Sequence, residues 1–148
     1  MNCYAIVNHG NQSLKGLGDK IIISLSSQKI FAKYSVFGRI IALESEQELS
    51  DGILSSSPLY PCIFTSSKKN EIYESIKILV EHAIPTQNFA IRVDRKGNHD
   101  YDSTELASNV AGAVFDKWPN ISVDLDSPEL EICVQIINNK CIIYLKYS

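Results

Sequence analysis

Arg92, Arg95, Lys96, Asn98 and His99 crowd around Gly97 in the run RVDRKGNHD. Guanidinium, ammonium, amide and imidazole groups this close together suit a small set of tasks. An imidazole beside a carboxylate such as Asp100 or Asp102 can move protons. Cations and amide donors can hold phosphate oxygens, and the N-terminus of a following helix adds unpaired amides and a positive dipole end. The same groups can also simply solvate a turn. Catalysis is the weakest of the three. No Ser or Cys nucleophile is local to His99 in sequence, though folding can bring one near, and Asp102 reads better as a helix cap. Asp94, Asp100 and Asp102 dilute the positive field. Phosphate contact and a solvated junction therefore both stay open on the residues alone.

Other chemistries lack their signatures. There is no GxGxxG after a strand, no Walker loop, no GxSxG elbow and no zinc-deaminase HxE with PCxxC. Gly16-Leu17-Gly18 is too short a signal for a dinucleotide site. His9 reads as an exposed turn residue and His82 as a residue near a helix C-terminus. Cys3, Cys62, Cys133 and Cys141 form no CxxC pair and sit in apolar surroundings, so they read as buried, reduced thiols of a cytosolic protein. Cys133 and Cys141 could face each other across a hairpin, but the compartment argues against a disulfide. No metal or cofactor is expected.

The elements around the cluster follow from periodicity. The chain has 148 residues, 45% of them apolar and 21% charged, with a formal net charge of −3. That is globular composition with enough apolar material for a core. No apolar run is long enough to cross a bilayer, and the N-terminus shows no signal peptide. The acidic balance argues against a general nucleic-acid binder, so any anion-binding footprint must be local. Residues 2–7 read as a strand. The segments Ile21–Leu25, Ile30–Tyr34 and Arg39–Leu43 read as three more, and Ser45 with Glu48 as a capping box opening a short helix to about Leu54. Pro61–Thr65 reads as a strand, and the polar stretch Thr65–Asn70 as the domain boundary. Ile72, Ile76, Leu79, Val80 and Ala83 then mark a helix ended by Pro85. Phe89–Val93 is a strand leading into the polar cluster. Asp102 caps a second helix with Leu106, Val110, Ala113, Val114 and Trp118 on its buried stripe, and Ala107, Ala111 and Gly112 keep one flank thin. Ile121–Leu125, Glu129–Ile137 and Lys140–Lys146 complete the set, the last two joined by a hairpin at Asn138-Asn139. The expected class is α/β (α+β), in two small domains at 1–66 and 67–148.

The run FAIRVDRKGNHDYDSTELASNVAGAVFD, followed by VDLDSPELEICVQIINNKCIIYL, resembles the THUMP domain, a module of tRNA-modifying proteins. Phe89, Arg92, Arg95, Gly97, His99, Ser103, Glu105, Leu106, Gly112, Ala113, Val123, Asp124, Leu125 and Pro128 carry the likeness, which covers about residues 68–148. Residues 1–66 resemble, more faintly, the small ferredoxin-like domain that accompanies THUMP. The resemblance implies tRNA binding at the acceptor stem and 3′ end, through Arg92, Arg95, Lys96, Asn98, His99 and Ser103, with Lys33 and Arg39 added from the first domain. Asp94 departs from the family, where a basic residue is common, and Asp102 replaces the usual Thr or Ser. With Lys146-Tyr147-Ser148 ending the sequence, the expectation is a stand-alone, non-catalytic adaptor that presents tRNA to a separate tRNA-modifying enzyme. A protein-interaction module and an enzyme subunit with a site between the domains are the alternatives.

Overall fold

A computed structural model describes residues 1–54 and 57–148. The chain divides into two compact units, Met1–Cys62 and Ile63–Ser148.

The first unit contains β1 (Asn2–Val7), α1 (Leu14–Ser27), β2 (Ala32–Phe37) and β3 (Ile40–Ser45), and it takes in the start of β4 (Tyr60–Ser66). β3 pairs antiparallel with β1 on one side and β2 on the other, and β1 pairs with β4 through Tyr4↔Pro61 and Ala5↔Tyr60. The core gathers Tyr4, Ile6, Ile41 and Leu43 from the strands with Leu17, Ile21 and Leu25 from α1.

Three sequence expectations fail in this unit. Ile21–Leu25 is helical, not a strand. The β-branched triplet Ile21-Ile22-Ile23 favours a strand locally. The wider pattern wins, because Leu17, Gly18, Ile21 and Leu25 recur at helical spacing and bury one face while Ile23 stays exposed. Ser13 caps the helix by accepting from the Gly16 amide at 2.9 Å. Gly18 lies under the Tyr34 ring, where a Cβ would come within 2.4 Å of ring carbons.

The capping-box helix from Ser45 is also absent. Ser45 ends β3, and its Oγ accepts from the Gln47 amide at 3.2 Å, which turns the chain instead of starting a helix. The Leu49 amide then donates to Tyr4 Oη at 2.8 Å and fixes the segment over the core. Third, Cys3 and Cys62 are not free thiols; they form a disulfide, with Cα atoms 5.4 Å apart. The β1–β4 register brings Tyr4 beside Pro61 and so places these neighbours together, a contact 59 residues apart in sequence that no local pattern reveals.

The second unit follows the expected order, helix-strand-helix-strand-strand-strand. It comprises α2 (Lys69–Glu81), β5 (Asn88–Lys96), α3 (Ser103–Val110), α4 (Gly112–Lys117), β6 (Ser122–Val123), β7 (Leu130–Ile137) and β8 (Lys140–Tyr147). The second expected helix is divided at Ala111. β5 pairs parallel with both β6 and β7, and β7 pairs antiparallel with β8. A parallel β5–β7 pair needs a crossover connection, which α3 and α4 supply. Ile72, Ile76 and Val80 of α2, with Leu106, Val110 and Val114, pack against Phe89, Ile132, Val134, Ile136 and Ile143 of the sheet.

β6 is only two residues long because Asp124 Oδ1 accepts from the Asp126 and Ser127 amides and turns the chain. Cys133 and Cys141 are the free, buried cysteines. They do not face each other: Cys133 opposes Tyr144, and Cys141 opposes Ile136. Burial pushes their thiols up to about 11 and about 12 respectively, so neither is a thiolate at neutral pH.

Candidate nucleic-acid interface

Parallel pairing of β5 with β7 sets Lys96 level with Ile137, so the loops that follow the two strands emerge side by side. The sequence around each loop is suited to this meeting. Gly97 has φ +108°, and a Cβ there would lie 2.6 Å from Asn138 Oδ1 and 3.1 Å from Asn138 Cα. Only glycine meets both demands. Asn138 takes φ +56°, a left-handed conformation that asparagine tolerates. Its amide donates to the Lys96 carbonyl at 2.8 Å. Gly97→Ala is therefore expected to destabilise the protein by about 2–3 kcal/mol. Urea unfolding measures this, and a loss under about 0.5 kcal/mol would show that the two loops do not need their close approach.

A third segment joins them. The Tyr101 hydroxyl donates to the Ser67 carbonyl, and the Ser67 amide donates to the Asn139 carbonyl at 3.1 Å. Burial, with the nearby Cys141 and Asp100, raises the Tyr101 phenol and keeps it a donor, against an opposing effect of Arg95. The β5–α3 loop, the β7–β8 hairpin and the chain entering α2 thus form one apex of the second unit. Lys68, Lys96, Asn98 and Lys140 stand exposed on these segments. Lys69 is more committed: its Nζ lies 3.1 Å from Glu105 and 5.9 Å from the centre of the Tyr101 ring.

Arg95 and His99 are tied into the apex. Arg95 Nη1 lies 3.1 Å from His99 Nδ1 and donates to the Gly97 carbonyl at 3.3 Å, while Arg95 Nε is buried without a hydrogen-bond partner. His99 Nε2 lies 2.6 Å from the Asn138 carbonyl, and its ring stacks on Tyr101 with centroids 5.3 Å apart.

Arg92 and Ser103 lie elsewhere. Both line a cleft of about 620 Å³ whose walls are Phe89, Ile91 and Val93 of β5, Ala107 and Ala111, and Val123 with Leu125. Of the thin flank expected from Ala107, Ala111 and Gly112, the two alanines line this cleft, while Gly112 packs close to Tyr73 of α2, where a Cβ would lie 3.1 Å from the Tyr73 hydroxyl. Arg92 Nη2 donates to the Leu125 carbonyl at 2.7 Å, and Nε lies 3.8 Å from Glu131. Asp102 caps α3 as expected, accepting from the Glu105 amide at 2.7 Å. Lys33 and Arg39 belong to the first unit. Lys33 is exposed on β2, 4.0 Å from Glu44, and Arg39 is exposed in the turn between β2 and β3.

Residues 66–146 match the THUMP domain family. The chain belongs to that family. The whole apex, from Ser67 and Lys68 through Lys96 and His99 to Lys140, lies inside the THUMP match, as do Arg92 and Ser103; Lys33 and Arg39 lie outside it. The chain is 31% identical over 71 residues to a tRNA sulfurtransferase of Vibrio vulnificus (strain YJ016), covering 48% of this chain and 15% of that one. It is 32% identical over 95 residues to a probable tRNA sulfurtransferase of Sulfurisphaera tokodaii, covering 64% and 25%. The chain thus spans a quarter or less of the length of these curated relatives. A crystal structure of a 4-thiouridine synthetase–RNA complex with bound ATP shares the fold at a TM-score of 0.72 and 11% identity, covering 99% of this chain and 41% of that one.

Sequence reading missed Lys68 and Lys140 of the THUMP apex. Lys68 lies in the polar stretch that reads as the domain boundary, and Lys140 opens the last strand of the hairpin. The hydrogen bonds of Ser67 to Tyr101 and Asn139 bring Lys68 to the apex, and the β5–β7 register brings the hairpin with Lys140, contacts that only the assembled fold supplies.

Proposed function

We propose that this protein binds tRNA through the apex of its THUMP domain and presents it to a separate tRNA-modifying enzyme. The observation that carries the reading is the convergence of three chain segments that place Lys68, Lys96, Asn98 and Lys140 on one exposed end. Such a surface holds several phosphates of one backbone, which a lone loop does not. For a chain of net charge −3 this local clustering of cations is what a nucleic acid would meet, with Asp94, Asp100 and Asp102 weakening the field beside it.

Family membership and the likeness to tRNA sulfurtransferases support tRNA as the partner. In this reading Arg92 and Ser103 extend the contact into the adjoining cleft. Lys33 and Arg39, on a first unit that we read as ferredoxin-like, add further cationic contacts. The chain's part is to bind and orient; the modifying chemistry belongs to the partner.

Titration of purified protein with tRNA across a salt series tests this. Affinity should fall linearly on a log–log plot against salt, and tRNA should be preferred over an unrelated polyanion such as heparin. Binding that ignores salt, or equal affinity for heparin, would leave a protein-interaction module as the better reading.

A further inference from the structure

We infer that His99 is a positioning residue, not a phosphate ligand: as a neutral imidazole it bridges Arg95 to the β7–β8 hairpin and holds the apex in its binding shape. This rests on the tRNA-binding reading above. The argument starts from which groups can donate. A guanidinium has only donors, so Arg95 Nη1, at 3.1 Å, requires a lone pair on His99 Nδ1. A backbone carbonyl only accepts, so the Asn138 oxygen, at 2.6 Å, requires a proton on Nε2. Both contacts are satisfied only by the neutral Nε2–H tautomer.

The ring is fixed on its face as well. It stacks on Tyr101, 5.3 Å away with planes 17° apart, and Tyr101 is itself anchored to Ser67. Both nitrogens and one face of the imidazole are thus occupied by protein, leaving no ring nitrogen for a phosphate oxygen. In return, the ring locates two groups. It holds the Arg95 side chain, whose Nη1 is shared between Nδ1 and the Gly97 carbonyl. It also holds the turn that carries Lys140 against the turn that follows Lys96.

Protonation would place an N–H on Nδ1 against the Arg95 N–H and put two positive charges at the same contact. The other charged and titratable groups around this point are Asp100 on the same loop, Tyr101 under the ring, Cys141 from β8, and Lys69 with Glu105 beyond Tyr101. None of them offers Arg95 a hydrogen bond in place of Nδ1. The geometry therefore calls for a lone pair on Nδ1, unlike a histidine that grips phosphate through its ring N–H groups.

Two measurements test this. The first needs no RNA: the ring-nitrogen NMR shifts of His99 at mildly alkaline pH should report Nε2–H with an unprotonated Nδ1. An Nδ1–H tautomer, or a mixture of both, overturns the assignment. The second compares tRNA affinity at one mildly alkaline pH and constant salt for the wild type, His99→Asn, His99→Gln and His99→Ala. His99→Ala should bind about five- to tenfold more weakly than wild type, from the loss of two hydrogen bonds.

His99→Asn places an amide oxygen where Nδ1 stood, so it should recover part of that loss. His99→Gln keeps a donor near the Asn138 carbonyl but removes the Arg95 acceptor, and should recover less. A His99→Ala variant that binds as tightly as wild type overturns the proposal. So does an Asn variant no better than Ala. If the tautomer is as expected but tRNA does not bind, the positioning geometry stands and the tRNA reading fails.

Discussion

Charge reversal of Lys68, Lys96 and Lys140 together is expected to weaken tRNA binding about a hundredfold at ~0.1 M salt. Each contact to single-stranded backbone contributes roughly −0.7 to the slope of log affinity against log salt, which is about fivefold in affinity at that concentration. Three such contacts give the figure, and the slope should become shallower by about two. These lysines suit the experiment because they are exposed, and among the described residues no salt bridge or side-chain hydrogen bond ties them to the fold. Arg95 suits it less well, because its side chain also organises the loop through Gly97 and His99. Filter binding across a salt series reads both quantities. A triple variant within about threefold of wild type, with an unchanged slope, would remove the apex from the RNA interface.

Opening the Cys3–Cys62 disulfide is expected to cost the first unit about 4 kcal/mol of stability. The bond closes a loop between positions 59 apart, and in the chain-entropy view that constraint acts chiefly on the unfolded chain. Hydrogen exchange of the β1 and β3 amides, with and without reductant, measures the difference. A Cys3→Ser/Cys62→Ser variant should match the reduced wild type. Alkylation supplies a check on the cysteines themselves: the native oxidised protein should resist modification at neutral pH, because Cys133 and Cys141 are buried with raised thiols. Reductant should expose reactivity first at Cys3, the less buried member of the pair. A difference in stability below about 1 kcal/mol would mean that the strand pairing holds this unit without the cross-link.

The two units differ in how far their sequences disclose them. In the second, local and global signals agree. The stripe of Ile72, Ile76 and Val80, the Asp102 cap and the Asn138-Asn139 turn all point to the elements that form. In the first, local signals compete with the fold. The isoleucine triplet mimics a strand inside α1, and Ser45 with Glu48 mimics a helix start at the end of a strand. Burial of one helical face decides the first case, and the hydrogen bond from Leu49 to Tyr4 helps decide the second. The proposed binding site was half legible. Arg95, Lys96, Asn98 and His99 were visible as a cluster because they are neighbours in sequence. Their companions Lys68 and Lys140 were not, because the hydrogen bonds of Ser67 and the β5–β7 register that gather them are long-range and leave no local mark. The separate places of Arg92 and Arg95 follow from strand alternation, since residues three apart on β5 point to opposite faces.

The apex has a kinetic consequence. Its ties join Tyr101 to Ser67 across 34 residues and His99 to Asn138 across 39, and the last pieces, Asn138 to Lys140, belong to the final hairpin of the unit. Contacts this distant in sequence form slowly, after loop closure and strand pairing have been achieved. A ribosome-bound chain that has not yet released β7 and β8 would carry its β5–α3 loop without the partners that shape it. Competence to hold RNA should therefore emerge only with complete folding of this unit, and partly made chains would leave tRNA free for finished molecules.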